Sequence, residues 1–340
     1  MSGPYDVRLL SLVVPCYNES ESISKFFASV IPVLESIDAI RFEIVLVNDG
    51  SSDDTLDKLI AYSRRDARVR VVDLTRNFGK EAALTAGLDE ALGDAVIPMD
   101  ADLQDPPSLI PELVMRWREG AEVVLAQRSS RVCDSWLKRV TAGAYYRIHN
   151  KLSEQKLPVN VGDFRLMDRV VINALKQMPE RRRFMKGLFA WVGYRTVIVP
   201  YERESRSAGR SKFSGWRLWN LALEGITSFS TIPLRSWTYI GVLIALGAFC
   251  YGTFIVARTL ILGIDVPGYA SLLSVLLFLG GIQLIGLGVV GEYVGRIYDE
   301  AKGRPIYLVR RRYQETGQDR LIASGRRVIR IDRGHVSSGR

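Results

Sequence analysis

The chain has 340 residues and a formal net charge of +9, so it is long enough for one large domain or two ordinary ones, and its basic balance points to an anionic partner: nucleic acid, a lipid surface or a phosphorylated substrate. Its three cysteines, Cys16, Cys133 and Cys250, have no CxxC spacing and are odd in number, which argues against a disulfide framework and fits a reducing cytosolic face. The two histidines, His149 and His335, have nothing suggestive beside them, which makes a His-rich zinc site and a Ser-His-Asp triad poor readings.

The first residues run into an apolar stretch without a basic n-region, so no cleavable signal peptide is expected. Residues 9–17 fit a central strand, and Asn18-Glu19-Ser20-Glu21 opens a helix with Asn18 or Ser20 as its cap. Residues 42–49 read as a second buried strand, ending in the turn Asn48-Asp49-Gly50-Ser51-Ser52-Asp53 ahead of a helix from Thr55. Residues 69–74 are a third strand, leading through Arg76-Asn77-Phe78-Gly79-Lys80 into another helix. Residues 95–99 and 123–127 are the fourth and fifth. Strands alternating with helices of about ten to fifteen residues predict an α/β fold built on a doubly wound, mostly parallel sheet.

The fourth strand runs into Asp100-Ala101-Asp102-Leu103-Gln104-Asp105-Pro106-Pro107, followed by a helix with proline in its opening turn. The acidic cluster thus sits at the carboxyl end of a strand, where open α/β sheets bind ligands. If strand geometry persists, Asp100 and Asp102 share a face and Gln104 continues the alternation. Three hard oxygen donors suit Mg²⁺ or Mn²⁺; an isolated D-x-D reads first as a solvated turn capping the next helix. Tyr17, Glu19, Asp49 and Asp73 close other strands, and together with the D-x-D they would line one crevice suited to a nucleotide. G-x-G-x-x-G and Walker A patterns are missing from their expected places, so a bound diphosphate would need a metal and cationic side chains.

Further along, Gly162-Asp163-Phe164-Arg165 reads as a turn entering another strand, or as a plain hairpin turn with a surface carboxylate. Residues 237–257 and 269–290 carry no charge, and each is long enough to cross about 30 Å of hydrocarbon. Basic residues crowd their outer flanks, including Arg206, Arg210, Lys212 and Arg235 before, then Arg296, Lys302, Arg304 and Arg310-Arg311-Arg312 after. The positive-inside rule then puts both termini in the cytoplasm and predicts a multi-pass membrane hairpin carrying a cytosolic domain. Between them, Trp216, Trp219, Leu223 and Ile226 fall at helical spacing as an interfacial helix, with residues 181–191 as a second. Gly280, Leu284, Gly288, Gly291 and Gly295 form a small-residue face suited to close helix contact, which permits a homo-oligomer. The boundaries this implies are a catalytic domain over 1–212, a juxtamembrane helix over 213–231, a hairpin over 232–295 and a basic cytosolic tail over 296–340.

The motifs Val14-Pro15-Cys16-Tyr17-Asn18-Glu19, Asn48-Asp49-Gly50-Ser51-Ser52-Asp53, Arg76-Asn77-Phe78-Gly79-Lys80, Asp100-Ala101-Asp102-Leu103-Gln104-Asp105, Gly162-Asp163-Phe164-Arg165 and Gly209-Arg210-Ser211-Lys212 are together similar to the family 2 glycosyltransferases of GT-A fold. The closer likeness is to the polyprenyl-phosphate branch, and it runs from about residue 8 to Gly303-Arg304-Pro305-Ile306-Tyr307 and on to 312. The resemblance implies transfer of one sugar, with inversion, from a nucleotide diphosphate sugar to polyprenyl phosphate at the cytosolic face of the inner membrane. UDP-glucose and undecaprenyl phosphate are the leading choices, and nucleic acid is not an implied partner. It assigns Pro15, Tyr17, Glu19, Asp49, Lys80 and Asp100 to the nucleotide, Asp100, Asp102 and Gln104 to Mg²⁺ or Mn²⁺, and Asp163 to the reacting sugar as a candidate base.

A phosphate monoester is already mostly dianionic at neutral pH, its second pKa lying near ~6, so Asp163 need not take a proton and can instead orient the sugar or offset developing positive charge. The greater difficulty is like-charge repulsion between two phosphorylated substrates. Arg128, Arg131, Arg206, Ser211 and Lys212 are the expected acceptor-phosphate contacts. A processive polysaccharide synthase is the alternative enzyme, weakened by the missing Q-x-x-R-W motif and by too few spans for a channel. A catalytically silent nucleotide-sensing scaffold is the non-enzyme alternative.

Overall fold

The computed structural model describes residues 8–128, 161–181, 183, 185–201, 232–262 and 268–314. The apolar run at the start of the chain becomes β1 (Arg8–Cys16), the middle of an eight-stranded sheet, with Leu10, Leu12, Val13 and Val14 fully buried. In chain order there follow α1 (Ser20–Glu35), β2 (Ile40–Asn48), α2 (Thr55–Arg65), β3 (Val69–Leu74), α3 (Lys80–Glu90), β4 (Ala95–Pro98), α4 (Ile110–Arg118) and β5 (Val123–Arg128). Then come β6 (Val161–Asp168), α5 (Arg169–Gln177), α6 (Met185–Trp191), β7 (Thr196–Tyr201), α7 (Ile232–Leu262), α8 (Tyr269–Ala301) and β8 (Val309–Tyr313). The strands lie in the order β7-β5-β6-β4-β1-β2-β3-β8. Pairs β1/β2, β1/β4, β2/β3 and β5/β7 are parallel, while β4/β6, β5/β6 and β3/β8 are antiparallel.

Helices cover both faces, as the alternation of elements requires. One core joins Phe26 and Leu34 of α1, Leu59 of α2 and Leu113 and Trp117 of α4. The other joins Ala83 and Leu84 of α3, Val171 and Ile172 of α5 and Leu188 of α6. The doubly wound α/β expectation holds. Alanine and glycine make α3 lie close to the sheet: Ala82, Ala83, Ala86 and Gly87 are buried, and a Cβ on Gly87 would strike the Val13 side chain. That close seat is what brings Lys80, at the helix start, over the carboxyl ends of the strands.

Several expectations need correction. Helix α1 has Glu19 at its N-cap position and no side-chain cap; the Asn18 carboxamide oxygen instead accepts from Ser52 N at 2.9 Å, joining two loops. Asp73 does not reach the crevice: it is 1 % exposed and accepts from Asn48 Nδ2 at 2.8 Å. The helix expected over 181–191 starts at Met185 and buries Met185, Leu188 and Phe189 in the second core, leaving Trp191 outward, so its apolar face serves the sheet rather than a membrane surface. Residues 296–340 are not simply a tail, since 296–301 complete α8 and β8 returns to the sheet edge. There Arg312 Nε donates to Glu90 at 2.7 Å, and Tyr307 Oη donates to Asp89 at 2.7 Å.

Helices α7 and α8 carry large apolar side chains into the open, among them Leu243, Phe249, Leu276, Phe278 and Leu287. Surface of that kind on consecutive turns marks an interaction with lipid or protein. Among the described residues only Phe278–Ala301 is long and apolar enough to cross a membrane, with Tyr239–Phe254 a shorter apolar stretch. Helix α8 contains the whole of the expected span at 269–290, and the two-span reading rests on sequence. The helices meet where Trp237 packs on Gly286; Gly280, Gly288, Gly291 and Gly295 have nothing within 4 Å of a would-be Cβ. Among the described residues nothing packs on this glycine face.

Candidate active site

The β1–α1, β2–α2 and β3–α3 loops are stitched together before any ligand arrives. Asn18 N donates to Ser51 Oγ at 3.1 Å and Glu19 N to Thr55 Oγ1 at 2.9 Å. Asp49 accepts from Phe78 N at 2.7 Å and Gly79 N at 2.9 Å. Burial raises the Asp49 carboxyl above its ordinary value, and these two amides oppose that rise. Gly50 makes the approach possible: its φ is +64°, and a Cβ there would lie 2.5 Å from Arg76 C and Asn77 N. Gly50→Ala is expected to destabilise the fold by roughly 1–3 kcal/mol through positive-φ strain and this clash. A denaturant midpoint shift would measure the loss; an unchanged midpoint would contradict the close approach.

These loops enclose a crevice of about 270 Å³ lined by Pro15, Tyr17, Glu19, Asp49, Lys80, Asp100 and Asp102, with Asn77 and Gly79 alongside. Every residue expected to hold the nucleotide therefore meets in one place. Asn77 and Gly79 were legible only as parts of a motif, since a backbone-lined wall leaves no signature in residue type.

At the crevice floor Lys80 Nζ lies 2.6 Å from Asp100 Oδ1 and 2.9 Å from Asp163 Oδ2. Burial pulls the Lys80 ammonium down, but the carboxylates of Asp163 and Asp100 outweigh it and hold the group above its ordinary value. Burial also raises Asp100, with Lys80 opposing and Asp163 and Asp102 adding to the rise. For Asp163 the balance is reversed: burial pushes its carboxyl up, yet Lys80, Lys186 and Arg165 together bring it below the usual range. Its second oxygen, Oδ1, is buried and has no hydrogen-bond partner among the described residues.

The backbone explains how Asp163 gets there. It lies within β6 rather than in a turn before it. Leu125 pairs with Arg165 and Gln127 with Val161, so two steps along β5 match four along β6. The extra residues around Gly162-Asp163-Phe164 form an irregularity that re-aims a side chain, as bulges beside active sites do. Behind it Arg165 is buried, with Nη2 donating to Gly162 O at 2.7 Å and its guanidinium 4.2 Å from the Phe189 ring centroid. Burial pulls Arg165 down to about 10, with Asp163 resisting, so it remains a cation at neutral pH. Its role as electrostatic backing for Asp163 was not read from the sequence.

The D-x-D turn is open to the crevice mouth. Asp102 is exposed, and Gln104 donates to it from both its backbone and its side-chain amide. Glu19 sits above its ordinary value through burial, with a Ser22 hydrogen bond opposing and Asp102, Asp100 and Asp53 adding negative charge. A cation would relieve this crowding. Among the described residues no three His, Cys, Asp or Glu side chains could hold a metal alone. The oxygens of Asp100, Asp102 and Gln104 nevertheless fit Mg²⁺ or Mn²⁺ as a partial set, since such ions keep positions for water and substrate phosphates.

Arg128, expected at the acceptor phosphate, has partners within the fold and lies beside Gly162, its Nη2 3.4 Å from a would-be Cβ there. Its Nε donates to Tyr201 Oη at 3.1 Å, its Nη2 lies 3.5 Å from Asp105 Oδ1, and Tyr201 Oη also donates to Asp105. The guanidinium thus anchors the end of the D-x-D loop to β5 and β7. Arg131, Arg206, Ser211 and Lys212 lie outside the described residues, as does the expected helix over 213–231.

The chain is similar to known proteins. Residues 11–176 match the glycosyl transferase family 2 model, and residues 232–297 match the GtrB C-terminal hairpin model. The chain is 55 % identical over 300 residues to the uncharacterized glycosyltransferase sll0501 of Synechocystis sp., covering 88 % of this chain and 94 % of that protein. It is 55 % identical over 302 residues to the prophage bactoprenol glucosyl transferase homolog of Escherichia coli, covering 89 % and 98 %. A solved structure, the mannosyltransferase PcManGT from Pyrobaculum calidifontis in complex with GDP-Man and Mn²⁺, shares 18 % identity at a TM-score of 0.46, over 87 % and 91 % of the two chains. With the nucleotide-crevice motifs assembled at the sheet's carboxyl edge and relatives matched over nearly their full length, the chain belongs to glycosyl transferase family 2 and is a glycosyltransferase, joining that domain to a GtrB-type C-terminal hairpin.

Proposed function

We propose that the enzyme transfers a single sugar, with inversion, from a nucleotide diphosphate sugar to polyprenyl phosphate at the cytosolic face of the inner membrane. UDP-glucose is the leading donor and undecaprenyl phosphate the leading acceptor. The observation that carries this reading is the Lys80 ammonium held between Asp100 and Asp163, with the buried Asp163 Oδ1 lacking a hydrogen-bond partner among the described residues. An unsatisfied buried acceptor costs about 1–3 kcal/mol, a cost that a substrate group can remove on binding. The carboxylate's depressed pKa makes it a poor proton acceptor, so it orients the sugar and offsets positive charge at the anomeric carbon.

Pro15, Tyr17, Glu19 and Asp49 border the nucleoside end of the crevice, and Asp100, Asp102 and Gln104 would hold Mg²⁺ or Mn²⁺. When bound, that ion neutralises the diphosphate and stabilises it as it leaves. Arg131, Arg206, Ser211 and Lys212 remain the proposed phosphate contacts from the chain between β5 and the membrane. Both termini are cytoplasmic in this reading, the two hairpin helices span the bilayer, and the open glycine face is available to a second copy. The name of the Escherichia coli relative supports the lipid acceptor.

Purified protein incubated with a panel of labelled nucleotide sugars, undecaprenyl phosphate and Mg²⁺ or Mn²⁺ tests the proposal. A lipid carrying one sugar is the expected product. Polymer would make the enzyme a processive synthase, and no turnover with any donor would favour a silent nucleotide-binding scaffold.

A further inference from the structure

Helix α6 connects the two halves of the molecule that a lipid substrate must bridge. Just upstream of it, Arg181 N donates to both carboxylate oxygens of Glu300 near the end of α8, at 2.9 and 3.1 Å, and the Arg181 guanidinium donates to Arg304 O. At the start of the helix, Met185 N donates to Glu81 Oε2 at 3.2 Å. Glu81 immediately follows Lys80, the residue that bridges Asp100 and Asp163. Met185, Leu188 and Phe189 are buried, which fixes the helix on the sheet. Phe189 of the same helix lies 4.2 Å under the guanidinium of Arg165, two residues from Asp163 on β6, so Lys186 is carried, half-buried, on a turn seated between Glu81 and the strand that bears Asp163; its charge helps to lower the Asp163 carboxyl.

Resting on the proposed lipid acceptor, we infer that Lys186 is the cation that meets the lipid-borne phosphate beside Asp163, and that Glu81 is a positioning residue that seats it. A dianionic phosphate approaching a carboxylate needs a positive group on its own side. Lys80 is already shared between two carboxylates, and Arg128 is paired with Asp105 and Tyr201. Lys186 follows closely on Arg181, which is tied to the hairpin's end, the side from which a lipid headgroup would enter. Burial and the Asp163 charge push Glu81 up to about 7, against the Met185 amide, Lys80 and Lys186.

The test is steady-state kinetics of full-length Lys186→Ala and Lys186→Arg in detergent, varying undecaprenyl phosphate at saturating UDP-glucose, with UDP affinity measured by calorimetry. Lys186→Ala is expected to raise the acceptor KM about tenfold or more, the scale of a lost hydrogen bond to a charged group. UDP affinity should stay as in the wild type, and Lys186→Arg should recover most of the acceptor KM. An unchanged acceptor KM in Lys186→Ala, or an equal loss of UDP affinity, overturns the assignment while leaving the enzyme's function standing. A wild-type protein that glycosylates no polyprenyl phosphate would instead remove the functional reading, and this inference with it.

Discussion

Asp163→Asn is expected to fold and bind nucleotide with near wild-type affinity, yet to lose on the order of 10²–10³-fold in turnover, the scale of removing one preorganised electrostatic group from a transition state. The substitution keeps size and hydrogen-bonding capacity while deleting the charge that Lys80 contacts at 2.9 Å. Burial favours the neutral acid at this position, but Lys80, Lys186 and Arg165 overcome it and hold the carboxyl below its ordinary value. The group is thus ionised throughout the neutral range and loses its charge only in acid. A general base would show partial rescue of the variant at high pH, as solvent hydroxide replaced it. Because the acceptor phosphate is already ionised above about pH 6, no rescue is expected between pH 7 and 9. Rates of both proteins across that range decide the matter: strong recovery at pH 9 would return Asp163 to the role of proton acceptor.

Asp102→Asn is the second large effect. The Asp102 carboxylate is exposed at the crevice mouth, adds to the negative charge around Glu19 and Asp100, and contributes little to the core. The variant should therefore fold normally while losing roughly a hundredfold or more of activity, because one anionic oxygen donor is removed from a set that needs substrate phosphates to complete it. Two measurements separate metal binding from other causes. Activity should demand a higher Mg²⁺ or Mn²⁺ concentration, and the enhancement of UDP binding by divalent ion should shrink. Chelator should abolish wild-type turnover. Full activity at the wild-type metal requirement would show that Asp102 is not a ligand.

Lys80 belongs to the same electrostatic unit, which is why effects at Asp100, Asp163 and Lys80 are expected to be strongly non-additive. Deleting any one leaves the others unbalanced in a partly enclosed site. Arg128 and Asp105 act at one remove from this unit, by holding the D-x-D loop through Tyr201.

The five strands β1 to β5, their alternating helices and the D-x-D turn were legible in the sequence, because each depends on burial and turn chemistry within a short window. β1 is apolar but for Arg8 and Ser11 since both its faces are covered, and Gly50 sits where a positive φ is required. β8 was hidden for the converse reason. Its sequence, Val309-Arg310-Arg311-Arg312-Tyr313, is charged as an edge strand is, and only pairing with β3 makes it a strand. The identity of the residues in the crevice was equally local, since each closes its own strand or opens its own helix. Their partners were not. Lys80 and Asp163 are far apart in the chain, and what joins them is the close seat of alanine-rich α3 and the irregular pairing of β6 with β5. Arg128 was legible only as an expected phosphate contact, and its hydrogen bond to Tyr201 appears once β7 lies beside it. A long charged side chain can reach many partners, and sequence pattern records only that it is charged. Which carboxylate it meets is decided by the positions of the elements that carry both, and that is a property of the packed fold.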